Sequence, residues 1–309
     1  MLENQAVADG EGGDVLARLA ELRLHQRDGR RSPHKPLLVL LALGRLSTTG
    51  TSQISWDDAK SDLGDLLAEF GPASTTGRAQ SVAYPFTRLR SDGIWILDRD
   101  VPMDNVGPLN AEQVAGQFAP SVERAFTAEP TLIASAARAL VESHFPDSIA
   151  PDVLAAVGLD ADAVLHAPDA VPTNSVGGRR RDPRWRVAVI QAWDRQCAFC
   201  GFDGQLFGGT VGLDAAHVRW FAFDGPDDLD NGLALCTLHH KLFDRGVLGI
   251  DSDLNVCVSM TYSARTPAGK SVYGLHGQAI QGRPGTPRPA DAHITWHREQ
   301  VFKGQPLTA

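Results

Sequence analysis

Two short spacings of soft ligands stand in the C-terminal third of the chain, Cys197-Ala-Phe-Cys200 and Cys236-Thr-Leu-His239. Two cysteines three residues apart on a tight turn, closed here by Gly201, bring both thiolates onto one tetrahedral ion. A second half-site of the same spacing completes the set, so the expectation is a closed structural Zn2+ site of Cys197, Cys200, Cys236 and His239. A redox CxxC would want a strand before the pair and a helix starting at its first cysteine, whereas here the helical pattern precedes it. The chain has four cysteines in all, and the last, Cys257, is a rival fourth ligand. It lies in the apolar run Val256–Val258 and reads as a small buried hydrophobe.

His217, Asn231 and His240 fall between and around these ligands, in LDAAHV (213–218), DDLDNGLALC (227–236) and TLHHKLFDRG (237–246). Together with the cysteine pairs, this order resembles the HNH, or ββα-metal, endonucleases, specifically their subgroup with a four-ligand zinc. The resemblance implies hydrolysis of DNA phosphodiester bonds. His217 would be the general base, His240 a ligand of a catalytic Mg2+ or Mn2+, and Asn231 the residue that pins the connecting loop and holds the His217 imidazole. The chemistry agrees. Phosphodiester hydrolysis needs an activated water, a charge stabiliser on the phosphate and help for the leaving 3′ oxygen. A neutral imidazole can take the water's proton because its ordinary pKa lies near operating pH. His240 follows zinc ligand His239 on one helix and points about 100° away, toward a second ion.

Family members place a carboxylate directly before the base histidine, and here that position is Ala216. Asp214, three residues earlier and on the opposite face of a strand from His217, reads either as a ligand of the catalytic ion or as a structural hydrogen-bonding group. Asp244 reads as a helix-end cap or a partner of Arg245.

Several elements must position these residues. Residues 14–25 have helical apolar spacing, and a second helix follows SPHKP with Pro36 in its first turn. Ser55 caps a third helix that runs to about Phe70, where Gly71-Pro72 stops it. Ile94–Leu97 reads as a strand after the turn Ser91-Asp92-Gly93, and residues 111–143 read as helical. From about 160 to 182 the pattern loses its period and fills with Pro, Gly, Ser and Asn. Beyond it PRWRVAVIQAW is helical, and short strands then alternate with one helix around Leu235–Phe243. The fold class expected is α+β: a helix-rich recognition domain with a short β wing over 1–165, a linker over 166–182 and a nuclease domain over 183–309.

The bulk numbers permit this. With 43% hydrophobic and 21% charged residues the chain reads as an ordinary globular protein. Its longest apolar run, Leu37–Leu43, is far short of the roughly 20 residues a membrane span needs. The acidic N-terminus lacks a signal peptide's basic and apolar regions, so the expected location is the cytoplasm, with no membrane partner. A net charge of −8 argues mildly against nucleic acid, but binding depends on local patches. Arg23, Arg27, Arg30, Arg31 and Lys35 form one with His25 and His34, and Arg179, Arg180, Arg181, Arg184 and Arg186 form another.

Two further segments, RRSPHKPLLVLLAL (30–43) and RAQSVAYPFTRLRSDGIWIL (78–97), resemble the sulfur-binding domain of phosphorothioate-dependent restriction endonucleases. In that family DNA with sulfur in place of one non-bridging oxygen is recognised and cut nearby by a C-terminal HNH domain, and the domain order here agrees. Sulfur is larger, softer and less hydrated than oxygen, so a shallow apolar pocket favours it. Tyr84 and Pro85 would offer that surface at a turn, and the apolar part of His34 would close it. Arg31, Lys35, Arg78, Thr87 and Arg88 would hold flanking phosphates and bases. The partners implied are double-stranded, phosphorothioate-modified DNA and a second copy of the chain as a homodimer. Competing readings are an HNH nuclease for methylated or unmodified DNA, and a non-catalytic zinc-stabilised DNA-binding protein.

Overall fold

A computed structural model describes residues 14–22, 32–72, 77–167 and 182–308. Arg31, the arginines and histidine at 23–30 and the three arginines at 179–181 lie outside the described residues, as does most of the expected linker. The chain divides into two compact units, Met1–Val176 and Gly177–Ala309, with the division inside the segment 166–182.

The first unit is built on α1 (His34–Thr49). Leu37 to Leu40, Ala42 and Leu43 are all fully buried, and a helix apolar all round belongs in a core. Gly44 permits the close packing: a Cβ there would stand 1.8 Å from the Val157 carbonyl oxygen. After the two-residue strand β1 (Ile54–Ser55), α2 (Trp56–Phe70) starts at Ser55, whose hydroxyl accepts from the Asp58 N–H at 3.1 Å. Next come α3 (Arg78–Arg88), β2 (Trp95–Leu97) and α4 (Val106–Ala111).

The expected helix over 111–143 is interrupted by β3 (Ala115–Phe118), which pairs antiparallel with both β1 and β2 and is the middle strand of a three-stranded sheet. Tertiary packing decides this. Gly116 leaves room for the Trp95 indole, and Phe118 joins a continuous aromatic row from Trp56 through Phe86, Trp95 and Phe118 to Phe126, with centroids 5.4–6.0 Å apart. Helices α5 (Pro120–Ala128), α6 (Thr131–His144), α7 (Ala150–Ala156) and α8 (Ala161–Leu165) complete the unit, and α1 packs against α2, α3 and α6.

The second unit opens with α9 (Pro183–Ala192), followed by a small hairpin of β4 (Gln205–Leu206) and β5 (Gly209–Thr210). Its centre is the antiparallel pair β6 (Leu213–His217) and β7 (Gly232–Cys236), registered from Leu213 opposite Cys236 to His217 opposite Gly232. Helix α10 (Thr237–Asp244) packs on both strands, giving a ββα unit, and α9 covers the pair as well. Gly232 is required there because a Cβ would meet the Val189 side chain of α9 at 2.5 Å. A second hairpin, β8 (Leu248–Ile250) with β9 (Val256–Val258), and α11 (Asp291–Gln300) support α10 from outside. His297 of α11 stacks on Phe243 with centroids 3.7 Å apart, and its Nε2 lies 3.1 Å from the Phe243 carbonyl oxygen. The whole is an α+β protein, helix-dominated in its first unit.

Candidate functional site

The donor atoms of Cys197, Cys200, Cys236 and His239 all lie within 4.8 Å of one another. Cys197 and Cys200 sit on a turn closed by Gly201 in the left-handed conformation (φ 71°), with the Gly201 N–H donating to Cys197 O at 2.8 Å. Cys236 ends β7 and caps α10, which places His239 one helical turn on, its Nδ1 3.5 Å from Cys197 Sγ. Hydrogen bonding from Cys236, with His239 adding to it, holds the Cys197 thiol down to about 3 against the opposing effect of burial. The same hydrogen bond and burial raise Cys236, and burial raises Cys200. A single thiolate shared among close thiols is the arrangement one soft cation resolves, and three sulfurs with one imidazole fit such a cation. Cys257 is buried on β9, outside this cluster.

His217 ends β6 beneath the Trp185 indole of α9, stacked at 3.8 Å between centroids and 17° between planes. Its Nε2 donates to Asp227 Oδ1 at 2.8 Å. A carboxylate there fixes the neutral tautomer with its proton on Nε2 and its lone pair on Nδ1, the atom that can accept a proton. Asp227 is itself held, because its Oδ2 accepts from the Asp182 N–H at 2.9 Å. Asn231, fully buried, clamps the turn that follows His217. Its Oδ1 accepts from the Arg219 N–H at 2.8 Å, and its Nδ2 donates to Arg219 O at 3.0 Å and Pro226 O at 2.9 Å. The Asn231 amide thus grips backbone groups, and the imidazole is oriented by Asp227 and Trp185, which sequence reasoning passed over. Nothing in the run Asp227-Asp228-Leu229-Asp230 marks which acid faces the histidine.

His240 lies between two carboxylates, with Nδ1 3.6 Å from Asp214 Oδ2 and Nε2 3.1 Å from Asp244 Oδ2. Burial lowers its pKa, but the charge of Asp244 and hydrogen bonds to both acids outweigh this and push it up to about 10. Asp214 is correspondingly held below the usual carboxylate range, first by the His240 hydrogen bond and then by the charges of His240 and Arg186. Asp244 is a buried partner of His240, and the Trp220 indole N–H donates to its Oδ1 at 3.1 Å. The two acids stand at opposite ring nitrogens of His240, and an imidazole beside one carboxylate is a donor pair suited to a small divalent ion. Three residues apart on β6, the Cα atoms of Asp214 and His217 stand about 10 Å from each other.

In the first unit, Tyr84 and Pro85 are not at a turn but inside α3, and α1, which begins at His34, packs against that helix. Tyr84 is half-buried and Arg88 exposed, with the guanidinium 5.1 Å over the Tyr84 ring. Pro85 is buried. Thr87 is fully buried, donating to Ala83 O at 2.7 Å and accepting from the Asp104 N–H at 3.0 Å, so it is a framework residue rather than a contact for DNA. Lys35 is also buried, its Nζ 2.5 Å from Asp92 Oδ2. Arg78 lies across α2 over Gly64, donating to Lys60 O at 3.0 Å, Ser61 O at 2.6 Å and Asp65 Oδ1 at 2.8 Å.

Residues 12–162 match the family model of the ScoMcrA-like DNA sulfur-binding domain, and residues 197–251 match that of the HNH endonucleases. The chain joins a ScoMcrA-like sulfur-binding domain to an HNH endonuclease domain. It is a DNA-cleaving enzyme of the metal-dependent HNH class. No curated protein matches the chain. Similar solved structures include the sulfur-binding domain of ScoMcrA complexed with phosphorothioated DNA, at 20% identity and a TM-score of 0.41, covering 48% of this chain and 97% of that one. The type IV phosphorothioation-dependent restriction endonuclease ScoMcrA aligns at 14% identity and 0.36, covering 83% and 84%. The modification-dependent TagI restriction endonuclease aligns at 25% identity and 0.32, with this chain spanning 38% of its length. The assignment of the sulfur-binding and HNH domains rests on the two family models. Among the described residues, no helix is long and apolar enough to cross a membrane.

Proposed function

We propose that the chain is a type IV-like restriction endonuclease that recognises phosphorothioate-modified double-stranded DNA through residues 1–165. In this reading a linker over 166–182 leads to the nuclease domain, 183–309, which cuts nearby. The observation that carries this is the succession of two domain families in one chain, a sulfur-binding domain before an HNH domain. Tyr84, with the buried Pro85 next to it in α3 and His34 on the adjoining α1, supplies the apolar surface for sulfur. Arg88 holds a flanking phosphate, and Arg31 is proposed to hold another. Lys35 and Arg78 act through the framework they brace.

In the nuclease domain His217 Nδ1 takes the proton of the attacking water while Asp227 stabilises the resulting imidazolium. Asn231 keeps the His217 turn in place. His240 and Asp214 are proposed to hold Mg2+ or Mn2+, which when bound would neutralise charge on the scissile phosphate and leaving oxygen, while Asp244 braces His240 at its other ring nitrogen. Cys197, Cys200, Cys236 and His239 hold Zn2+ as a structural ion. We place the enzyme in the cytoplasm as a homodimer. Cleavage of matched duplexes with and without one phosphorothioate, in Mg2+ or Mn2+, tests the reading. Cutting confined to the modified duplex supports it, and equal cutting of both overturns the sulfur dependence.

A further inference from the structure

We propose that Asp104 is a built-in phosphate mimic that occupies Arg88 and weakens the hold of the recognition domain on ordinary DNA. The proposal rests on the reading that this domain binds DNA and adds a residue that sets its selectivity. Arg88 donates from Nε to Asp104 Oδ1 at 2.8 Å, and its terminal nitrogen stands 2.5 Å from Oδ2. This two-pronged grip of guanidinium on carboxylate is also the geometry with which arginine takes a phosphate. The same guanidinium lies over Tyr84, the aromatic ring offered to sulfur, so the carboxylate sits beside the proposed recognition pocket.

The placement of Asp104 is built, not incidental. Its backbone N–H donates to the buried Thr87 hydroxyl at 3.0 Å, and its carbonyl accepts from Gln80 Nε2 at 2.8 Å, so both main-chain groups are tied to α3. Arg90 fastens the same loop by donating to Val101 O at 2.9 Å. Asp104 has a φ of 61°, the left-handed region where few non-glycine residues stand. This gives the buried Thr87 a role: it aims the carboxylate at Arg88. A phosphate reaching Arg88 must displace Asp104 or share the cation with it, so the site contributes little net positive charge. A ligand that also gains from the apolar pocket meets the same cost with more to offset it.

The test titrates the full chain, its Asp104→Asn form and an Asp100→Asn control with an ordinary duplex and with the same duplex carrying one phosphorothioate. Asp100 is fully exposed and 3.6 Å from Arg90, so its substitution reads the general effect of removing one nearby negative charge. Asn keeps the volume of Asp104 and tolerates positive φ. Asp104→Asn is expected to bind the ordinary duplex about 3- to 10-fold more tightly than Asp100→Asn does, within the range of a partly exposed charge pair plus one arginine–phosphate contact. The slope of log affinity against log salt should steepen by up to about 0.9, one further phosphate neutralised. In an Arg88→Ala background the gain should fall to the level of the control.

If Asp104→Asn binds no more tightly than Asp100→Asn, or gains equally without Arg88, the mimic is overturned. Should Asp104→Asn melt far below the parent, Asp104→Gly, which accepts the same φ freely, is read by the same criteria. Equal affinity of the parent for both duplexes would overturn the sulfur reading alone, because the gain on the ordinary duplex is still measured.

Discussion

His217 donates from Nε2 to Asp227 Oδ1 at 2.8 Å, and the same carboxylate accepts the N–H of Asp182, the residue that caps α9. His217, the proposed general base, is therefore oriented by a group tied to the N-cap of α9. Trp185 of that helix covers the other face of the ring. Asp227→Asn should lower the cleavage rate by about 10- to 1,000-fold with DNA binding unchanged, since the carboxylate acts on the base and not on the substrate. Single-turnover rates beside a gel shift check this. Full activity in the variant would contradict it.

The His240 cradle gives a pH dependence with a definite sign. Its proton, held up to about 10 between Asp244 and Asp214, must leave before the imidazole can take a divalent ion. Mn2+ affinity should therefore rise with pH, by close to tenfold per unit, between about pH 7 and 9. In the metal-free protein the sign is opposite. The folded pKa lies above the ordinary one, so this group stabilises the fold fully below about pH 6.5, and that contribution is lost as pH rises toward 10. Mn2+ titration at several pH values, with His240→Ala as the silent control, reads the first effect. A pH-independent affinity would place the ion elsewhere.

Lys35 separates a framework role from a DNA contact. Its ion pair with Asp92 is almost closed to solvent, with side-chain exposures of 11% and 3%. Breaking such a pair from one side costs about 3–5 kcal/mol, because the buried carboxylate loses its counter-charge. Lys35→Ala should accordingly lower the melting temperature of the recognition domain by many degrees, whereas Arg88→Ala should weaken DNA binding with little change in melting. A Lys35→Ala protein that melts normally and only binds DNA less well would reverse the assignment.

One Zn2+ per chain is expected from the Cys3His set, and its loss should unfold the second unit. Binding of a structural zinc is worth about 10–16 kcal/mol, more than a small core supplies. Cys236→Ser should lose the ion and Cys257→Ser should keep it, as elemental analysis of the purified proteins would show. Zinc-free protein that is folded and active would contradict the site.

What was legible in the sequence was what short-range spacing dictates. The two half-sites, Ser55 as a helix cap and the strand–strand–helix order around His217 follow from contacts within a few residues. Features set by distant partners were hidden. Ala115–Phe118 looks helical until Trp95 lies on Gly116 and Ile54 pairs with that glycine. Thr87 reads as a polar contact until the phase of α3 turns it inward beneath Asp104. Asp244 does end α10, but its hold on Trp220, 24 positions away, is invisible in the local pattern. In each case the deciding atom comes from a segment that no local pattern names.

If the recognition domain prefers sulfur on the DNA backbone through apolar contact at Tyr84, as proposed, the preference is read by the ratio of dissociation constants for two duplexes that differ only in one phosphorothioate, measured on the full chain at moderate salt. The modified duplex should be preferred by about 10- to 200-fold, the range a single soft apolar contact provides. Most of that preference should be lost in Tyr84→Ala. Equal dissociation constants for the two duplexes in the unaltered protein would contradict it.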